Sequence, residues 1–172
     1  MWLTGLPSAG KTTLAAALGA RLTADGHRVE LLDGDVVRSH LSSDLRYTRE
    51  DRIANILRVG FIAHLLSRNG VVAVCSLVSP YRVARDRVRA MHDGRFVEVW
   101  VSTPPDVCAS RDVKGLYARQ RAGEMTGLTG VDDPYEPPLR PEVVVPTQAL
   151  SRDESVDAIW AALPTWLTRH GR

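Results

Sequence analysis

The chain has 172 residues, of which 22 are lysine or arginine and 20 are aspartate or glutamate, so its net charge is only +2. Hydrophobic residues at 44% and charged residues at 24% are ordinary for a globular protein and exclude a disordered chain. Acidic and basic residues are intermixed, which argues against a nucleic-acid-binding surface, and no apolar run reaches the length of a membrane span. We expect one domain over residues 1–172 and, without a signal peptide, a cytoplasmic location.

The most informative stretch runs from Gly5 to Thr12 and reads GLPSAGKT. It fits the P-loop spacing G-x-x-x-x-G-K-[ST], and it lies between an apolar start and an alanine-rich helix, as that motif requires. Its glycines let backbone N–H groups point into one hollow, where the helix dipole also attracts phosphate. We expect Lys11 to reach the β- and γ-phosphates of a nucleotide and the Thr12 hydroxyl to hold Mg²⁺. A glycine-rich turn without a ligand is the alternative.

In chain order, residues 1–3 predict a short strand, residues 14–22 a helix that ends at Gly26, and residues 29–32 a second strand. Strand, helix and strand within about 30 residues form a βαβ unit, which implies a parallel sheet. Asp33 and Asp35 follow the second strand, at the sheet edge where ligands bind in such folds. No acidic residue occurs between Asp51 and Asp86, so the third strand supplies no metal-holding aspartate and this pair is expected to fill that role. A simple turn is the alternative for Asp33-Gly34.

A capping box, Thr48-x-x-Asp51, predicts the start of a long helix. Its buried face is predicted to contain Ile53, Ile56, Leu57, Gly60, Phe61 and His64. Arg52, Asn55 and Arg58 flank that face at helical spacing. Such residues are commonly a solvated helix edge, but their position after Asp35 also makes an anion site plausible.

The alternation continues to the C-terminus. Strands are predicted over residues 71–78, 96–101 and 143–145, and helices over 83–91, 105–111 and 152–169. The inward face of the last helix is expected to be Val156, Ile159, Trp160 and Leu163, and the arginines 82, 85, 87 and 89 are expected to be mostly solvated. Residues 112–136 have little core-forming pattern and many basic and glycine residues, which predicts a mobile lid. Cys75 and Cys108 lack metal or disulfide spacing and are expected to be buried, reduced thiols.

Six short motifs occur in order along the chain: residues 4–12, Leu32-Asp-Gly-Asp35 with Arg38, Glu50-Asp-Arg52 with Asn55, Ser79-Pro-Tyr-Arg82, residues 111–117 and residues 129–136. Together they resemble the adenylylsulfate kinase family. The resemblance spans nearly the whole chain and implies an α/β, three-layer P-loop kinase fold with a mostly parallel five-stranded sheet and a lid. It also implies transfer of the γ-phosphate of ATP, with Mg²⁺, to the 3′-hydroxyl of adenosine 5′-phosphosulfate, and a homodimer.

The resemblance implies roles for individual residues, with Asp35 and Lys11 as the catalytic pair. ATP would be bound by Gly5, Leu6, Pro7, Ser8, Ala9, Gly10, Lys11, Thr12, Thr13, Arg111 and Thr147. The acceptor would be bound by Asp33, Asp35, Arg38, Tyr47, Arg52, Asn55, Ser79, Lys114 and Leu128, and the metal by Thr12 and Asp33.

Four positions depart from the family pattern: Val36 replaces an asparagine, Arg46-Tyr47 replaces Gly-Phe, and Leu128 replaces a phenylalanine. Tyr47 can stack on one face of an adenine, and Leu128 can cover the other without π-overlap. Two alternatives stay open: a kinase of the same fold that acts on another small hydroxylated acceptor, and a non-catalytic nucleotide-binding module. The absence of an N-K-x-D guanine signature disfavours a GTPase-like switch.

Overall fold

Five parallel strands form the centre of the computed structural model, which describes residues 1–168. The strands are β1 (Trp2–Thr4), β2 (Val29–Asp33), β3 (Val72–Ser76), β4 (Glu98–Val101) and β5 (Val143–Val145). They are ordered β2-β3-β1-β4-β5, and Trp2 aligns with Cys75 on one side and Glu98 on the other. The P-loop strand β1 therefore lies in the middle of the sheet, which confirms the predicted α/β fold.

The helices are α1 (Lys11–Ala24), α2 (Gly34–Leu41), α3 (Arg49–Arg68), α4 (Arg82–Ala90), α5 (Pro105–Arg111), α6 (Leu116–Arg121), α7 (Arg152–Ala161) and α8 (Thr165–Thr168). They cover both faces of the sheet. Successive residues of a strand point to opposite faces, so Leu3 packs with Leu18 of α1 and Ile159 of α7, while Trp2 packs with Ile56 of α3 on the other face. The result is a three-layer arrangement with two hydrophobic cores. None of the described helices is long and apolar enough to cross a membrane.

The sequence did not predict α2, because Asp33-Gly34 is typical of a turn. In the structure Asp33 is the N-cap of this helix, and its carboxylate accepts a hydrogen bond from the Asp35 amide at 3.0 Å. Thr48 likewise caps α3 by accepting from the Asp51 amide. The Asp51 carboxylate, however, accepts from the Arg46 amide, so the predicted box is only half formed.

The structure differs from the expected burial and helix bounds at three places. Phe61 is 55% exposed, because the buried face of α3 is centred on Ile56, Val59 and Ala63. Arg85 is 2% exposed and pairs with Glu98, so it is an exception to the expectation that most arginines of this stretch are solvated. The predicted final helix is two helices separated by Pro164, with Trp160 only partly buried; its predicted end, Arg169, lies outside the described residues. Cys75 and Cys108 are buried free thiols, as predicted.

The segment 112–136 has more apolar anchors than its sequence indicates. Tyr117 and Leu128 are buried in the same core as Leu3, and the Tyr117 hydroxyl donates to the Pro7 carbonyl of the P-loop at 3.2 Å. Helix α6 also lies within this segment. The exposed residues lie mainly at 113–114, 118–126 and 131–134, so any opening motion would involve those stretches most readily.

Candidate active site

A cleft of about 900 Å³ lies at the carboxyl ends of the strands, where open parallel sheets place their ligands. It is lined by sixteen of the residues that the sequence analysis selected: Pro7, Ser8, Gly10, Lys11, Thr12, Thr13, Asp33, Asp35, Arg38, Tyr47, Arg52, Asn55, Ser79, Arg111, Lys114 and Thr147. Four other selected residues are not among the described lining residues. They are Gly5, Leu6 and Ala9, which belong to the P-loop itself, and Leu128, which is in the core.

Backbone geometry builds the phosphate-binding hollow. A Cβ atom on Gly5 would meet the Val101 carbonyl oxygen at 2.6 Å, so only glycine fits where the loop leaves β1. Gly10 has a φ of 102° at the N-cap of α1, which also favours glycine. The Ala9 carbonyl accepts hydrogen bonds from the hydroxyls of Thr103 and Thr147, both at 3.0 Å, and this ties the loop to the ends of β4 and β5.

Lys11 is buried at the base of this hollow, where its Nζ donates to the Leu6 carbonyl at 2.8 Å. Burial lowers the pKa of Lys11 to about 8, with the nearby positive charge of Lys114 acting in the same direction. A desolvated ammonium group interacts strongly with an anion, so Lys11 is well suited to hold a phosphate.

Hydroxyl and carboxylate oxygens meet beside Lys11. The hydroxyls of Thr12 and Ser76 donate to the same Asp33 oxygen at 2.8 and 3.0 Å. Burial alone would raise the pKa of Asp33, but hydrogen bonds from Thr12, the Asp35 amide and Ser76 outweigh it and lower the pKa. An ionised carboxylate beside a hydroxyl fits Mg²⁺, which typically takes one or two carboxylate ligands and completes its shell with phosphate and water.

Asp35 lies in the first turn of α2, with its carboxylate exposed towards the cleft. Lys114, from the segment 112–136, forms an ion pair with this carboxylate. An anionic oxygen at the mouth of the cleft, held on a capped helix, can accept a proton from a hydroxyl group brought next to it.

Tyr47 and two arginines form an aromatic and cationic wall of the same cleft. The guanidinium carbons of Arg38 and Arg52 lie 4.2 and 5.6 Å from the centre of the Tyr47 ring. Arg52 also donates to the Gly127 carbonyl at 2.6 Å and to the Thr129 hydroxyl at 2.9 Å, which links α3 to the segment 112–136. The wall presents an exposed ring face and positive charge, a combination that suits a base attached to an anionic group.

Comparison with known proteins agrees with this geometry. The family model described as adenylylsulphate kinase matches residues 1–146. An adenylyl-sulfate kinase of Rippkaea orientalis is 53% identical over 163 residues, covering 95% of this chain and 90% of its own. The chain belongs to the adenylylsulphate kinase family.

Two solved structures extend the comparison. The Mycobacterium tuberculosis APS kinase CysC, determined in complex with AMPPNP and APS, has a TM-score of 0.89 at 35% identity, with 94% of each chain covered. A hexameric APS kinase from Thiobacillus denitrificans has a TM-score of 0.73 at 37% identity, and the match covers 97% of this chain but 29% of that one. Both carry the same fold as the present family member.

Asn55 and Arg58 flank the same face of α3, but they have different environments in this structure. Asn55 is buried, lines the cleft, and its Oδ1 atom has no hydrogen-bond partner within the described chain. A buried amide oxygen without a partner is costly, which suits a position that a ligand would satisfy. Arg58 instead pairs with Asp44 at 2.6 Å on the exposed surface, as the solvated-edge alternative predicted.

Ser79 lines the cleft, but its hydroxyl forms hydrogen bonds with groups of the protein interior. It accepts from the Trp2 indole at 3.0 Å and donates to the Thr4 hydroxyl at 2.9 Å. Its φ of 41° is unusual for a residue other than glycine.

Arg111 also lines the cleft and also bonds within the protein. It donates to the Thr147 hydroxyl and carbonyl, both at 2.9 Å.

Sequence patterns did not single out Ser76, which lines the cleft, or Thr103, which donates to the P-loop carbonyl of Ala9. Ser76 is the last residue of β3, and Thr103 follows β4 by two positions. Both are hydroxyl residues at the end of an apolar strand. Because the carboxyl ends of parallel strands converge on one edge, that pattern alone could have suggested them.

Proposed function

We propose that this protein transfers the γ-phosphate of Mg-ATP to the 3′-hydroxyl of adenosine 5′-phosphosulfate and so forms 3′-phosphoadenosine 5′-phosphosulfate. One observation supports the proposal most strongly. In this member of the family, a P-loop, an exposed carboxylate and the Tyr47 wall with its cations all line one cleft. The names of the Rippkaea relative and of the Mycobacterium complex with AMPPNP and APS support the same donor and acceptor.

On the donor side, the P-loop amides and Lys11 would bind the β- and γ-phosphates, with Arg111 and Thr147 beside the adenine of ATP. Thr12 and Asp33 would hold Mg²⁺, which neutralises charge on the phosphates when it is bound. Phosphoryl transfer depends mainly on positioning and on charge stabilisation, and it requires no covalent nucleophile from the protein.

On the acceptor side, Asp35 would orient the 3′-hydroxyl and accept its proton as the phosphoryl group arrives. Lys114 pairs with Asp35 across the cleft, so it is near enough to contact an acceptor at the same position. Arg38, Arg52 and Asn55 would hold the phosphosulfate, and Tyr47 would stack on its adenine. Leu128 was expected to cover the other face of the adenine, but it is buried in the core and is not among the described residues that line the cleft, so we leave it out of the acceptor site.

Residues 112–136 would act as a lid on a single kinase domain of residues 1–172. Lys114 and Arg52 link this segment to the cleft by charged contacts, which anionic ligands would strengthen. Limited proteolysis tests the lid: cleavage within 118–126 should slow when nucleotide and acceptor are both present. Equal cleavage with and without ligands would rule the lid out.

We also infer a homodimer, which the family resemblance supports, in the cytoplasm, where ATP is available and free thiols such as Cys75 stay reduced. Light scattering after gel filtration measures the oligomeric state directly. A monomer or a higher assembly would contradict this inference without affecting the proposed reaction.

The proposed reaction is tested by measuring ADP release at fixed Mg-ATP with a panel of acceptors. Adenosine 5′-phosphosulfate should be used far better than adenosine, which has no anion for the cations of the wall, or shikimate, which has no base for Tyr47. If another hydroxylated compound is preferred more than about tenfold, a difference of roughly 1.4 kcal/mol, the acceptor assignment is wrong. Tight ATP binding without turnover of any acceptor would instead favour a nucleotide-binding module.

A further inference from the structure

Arg85 is one of the largest fully buried side chains, although it lies on the arginine-rich helix α4. Its Nε atom donates to Glu98 at the start of β4, at 2.8 Å. A buried ion pair of this kind is not by itself evidence of added stability, because desolvation offsets much of its attraction. The arrangement of its remaining donors indicates a more specific role.

The two terminal nitrogens of Arg85 reach two irregular segments that are far apart in the sequence. One donates to the Ser79 carbonyl at 2.6 Å, and the other donates to the Glu136 carbonyl at 2.7 Å. Ser79 lines the cleft, whereas Glu136 is the last residue of the lid segment 112–136. One guanidinium group therefore connects the cleft wall to the C-terminal end of the lid.

Further contacts make this junction rigid. The Glu136 amide donates to the Pro80 carbonyl at 2.8 Å, and its carboxylate accepts from the Arg82 amide at 2.8 Å. Three residues earlier in the lid, Asp133 lies 3.7 Å from Arg52, which also binds Thr129. A shift at Glu136 would therefore be transmitted over a few residues to Arg52 on the Tyr47 wall.

We propose that Arg85 is a positioning residue for the acceptor. It fixes Ser79 relative to Glu136, and these two residues in turn position the acceptor side of the cleft. The proposal rests on the proposed function for the identity of the acceptor. Arg85 acts through its neighbours, since it is not among the described residues that line the cleft. Lysine cannot replace it, because only a planar guanidinium donates in three fixed directions at once.

The first test is Arg85→Lys, with Arg89→Lys as the matched control. Arg89 is on the same helix and donates to the same Glu98, but its other partner is Glu142 at the surface. In Arg85→Lys the KM for adenosine 5′-phosphosulfate should rise about tenfold or more, since a small misplacement of binding groups has large effects. The KM for ATP and the kcat should stay within about threefold, and Arg89→Lys should resemble the wild type.

Hydrogen exchange provides a readout that does not depend on turnover. Backbone amides of Tyr81, of residues 129–133 and of residues 135–136 should exchange faster in Arg85→Lys than in wild type, while those of the P-loop should not change. If both the KM for the acceptor and this exchange are unchanged, or if the KM values for ATP and acceptor rise equally, the proposal is wrong. If wild type does not use adenosine 5′-phosphosulfate, the proposed function fails, and the exchange experiment still decides whether Arg85 holds the lid end.

Arg85→Lys could fail to fold, because its lost bonds are buried. The double variant Arg85→Met/Glu98→Leu removes both charges and leaves no unpaired ion in the interior. It should melt cooperatively and still show the raised acceptor KM and faster exchange at residues 129–136. A folded double variant with wild-type acceptor KM and exchange would overturn the proposal.

Discussion

The donor and acceptor halves of the cleft are built in different ways. The donor half is formed largely by one continuous stretch, residues 5–13, in which backbone groups and the buried Lys11 would bind the phosphates. The acceptor half is assembled from side chains of α2, the loop before α3, α3 itself and the segment 112–136. A backbone hollow tolerates changes in neighbouring side chains, whereas a site made of separate side chains can change its specificity through few substitutions.

Solvent exposure differs in the same direction. Lys11 is 9% exposed, whereas the side chain of Lys114 is 56% exposed and Tyr47 is 66% exposed. The charge of Lys11 is therefore desolvated and interacts strongly, while that of Lys114 is screened until a ligand or the lid covers it. Two of the departures from the family pattern, Val36 and Tyr47, line the acceptor half, and Leu128 is buried next to Gly127, which accepts a hydrogen bond from Arg52. Substitutions should consequently have larger effects on the donor side.

Lys11→Ala should give the largest effect. It removes the buried cation of the donor half, so turnover should fall by about 10³-fold or more and ATP binding should weaken. The measurements are kcat from ADP release and the Kd for Mg-ATP by calorimetry. Arg21→Gln, a cation on the same helix that pairs with Asp157 at the surface, is the control and should remain near wild type. Near-normal activity of Lys11→Ala would show that the P-loop assignment is wrong.

Asp35→Asn should impair catalysis in the acceptor half without affecting nucleotide binding in the donor half. It keeps the shape of the side chain but removes the proposed base, so kcat should fall by about 10²-fold or more while the Kd for Mg-ATP changes little. Asp44→Asn, which alters an exposed carboxylate paired with Arg58, is the matched control. A mild effect of Asp35→Asn together with a severe effect of Asp33→Asn would show that the two aspartates have exchanged roles.

Tyr47→Ala tests the exposed wall of the acceptor half. Loss of base stacking should cost about 1–3 kcal/mol of acceptor binding, so KM for the acceptor should rise more than kcat falls. Tyr47→Phe retains the ring and should behave like wild type. An equal loss in Tyr47→Phe would mean that the hydroxyl, and not the ring, is what matters at this position.

The smallest effect is a pH dependence confined to the donor half. Because the pKa of free Lys11 is about 8 and a bound phosphate raises it, ATP affinity should decrease as pH rises through 8. Between pH 7 and 8.5 the Kd for Mg-ATP should increase about fourfold, as a single deprotonation requires. Lys11→Arg stays charged over this range and should give a flat profile. A flat wild-type profile would contradict a titrating Lys11.

Local sequence patterns were sufficient to predict much of the donor half. The P-loop, its flanking strand and helix, and the Asp33-Gly34-Asp35 stretch are short segments whose spacing reflects backbone geometry and strand order. The five strands were also predicted within a few residues, because buried parallel strands are continuous apolar runs. These features depend on interactions between residues that are close in the sequence.

Tertiary structure alone decided the environment of individual side chains. Arg85 and Arg89 belong to the same arginine-rich pattern, yet Arg85 is buried because Glu98, Ser79 and Glu136 surround it. Phe61 is exposed and Asn55 is buried on one helix, because the neighbouring elements select which face of α3 is covered. Leu128 and Tyr117 anchor a segment whose sequence indicates a loop. Each of these outcomes depends on partners distant in the sequence, and helical periodicity carries no information about such partners.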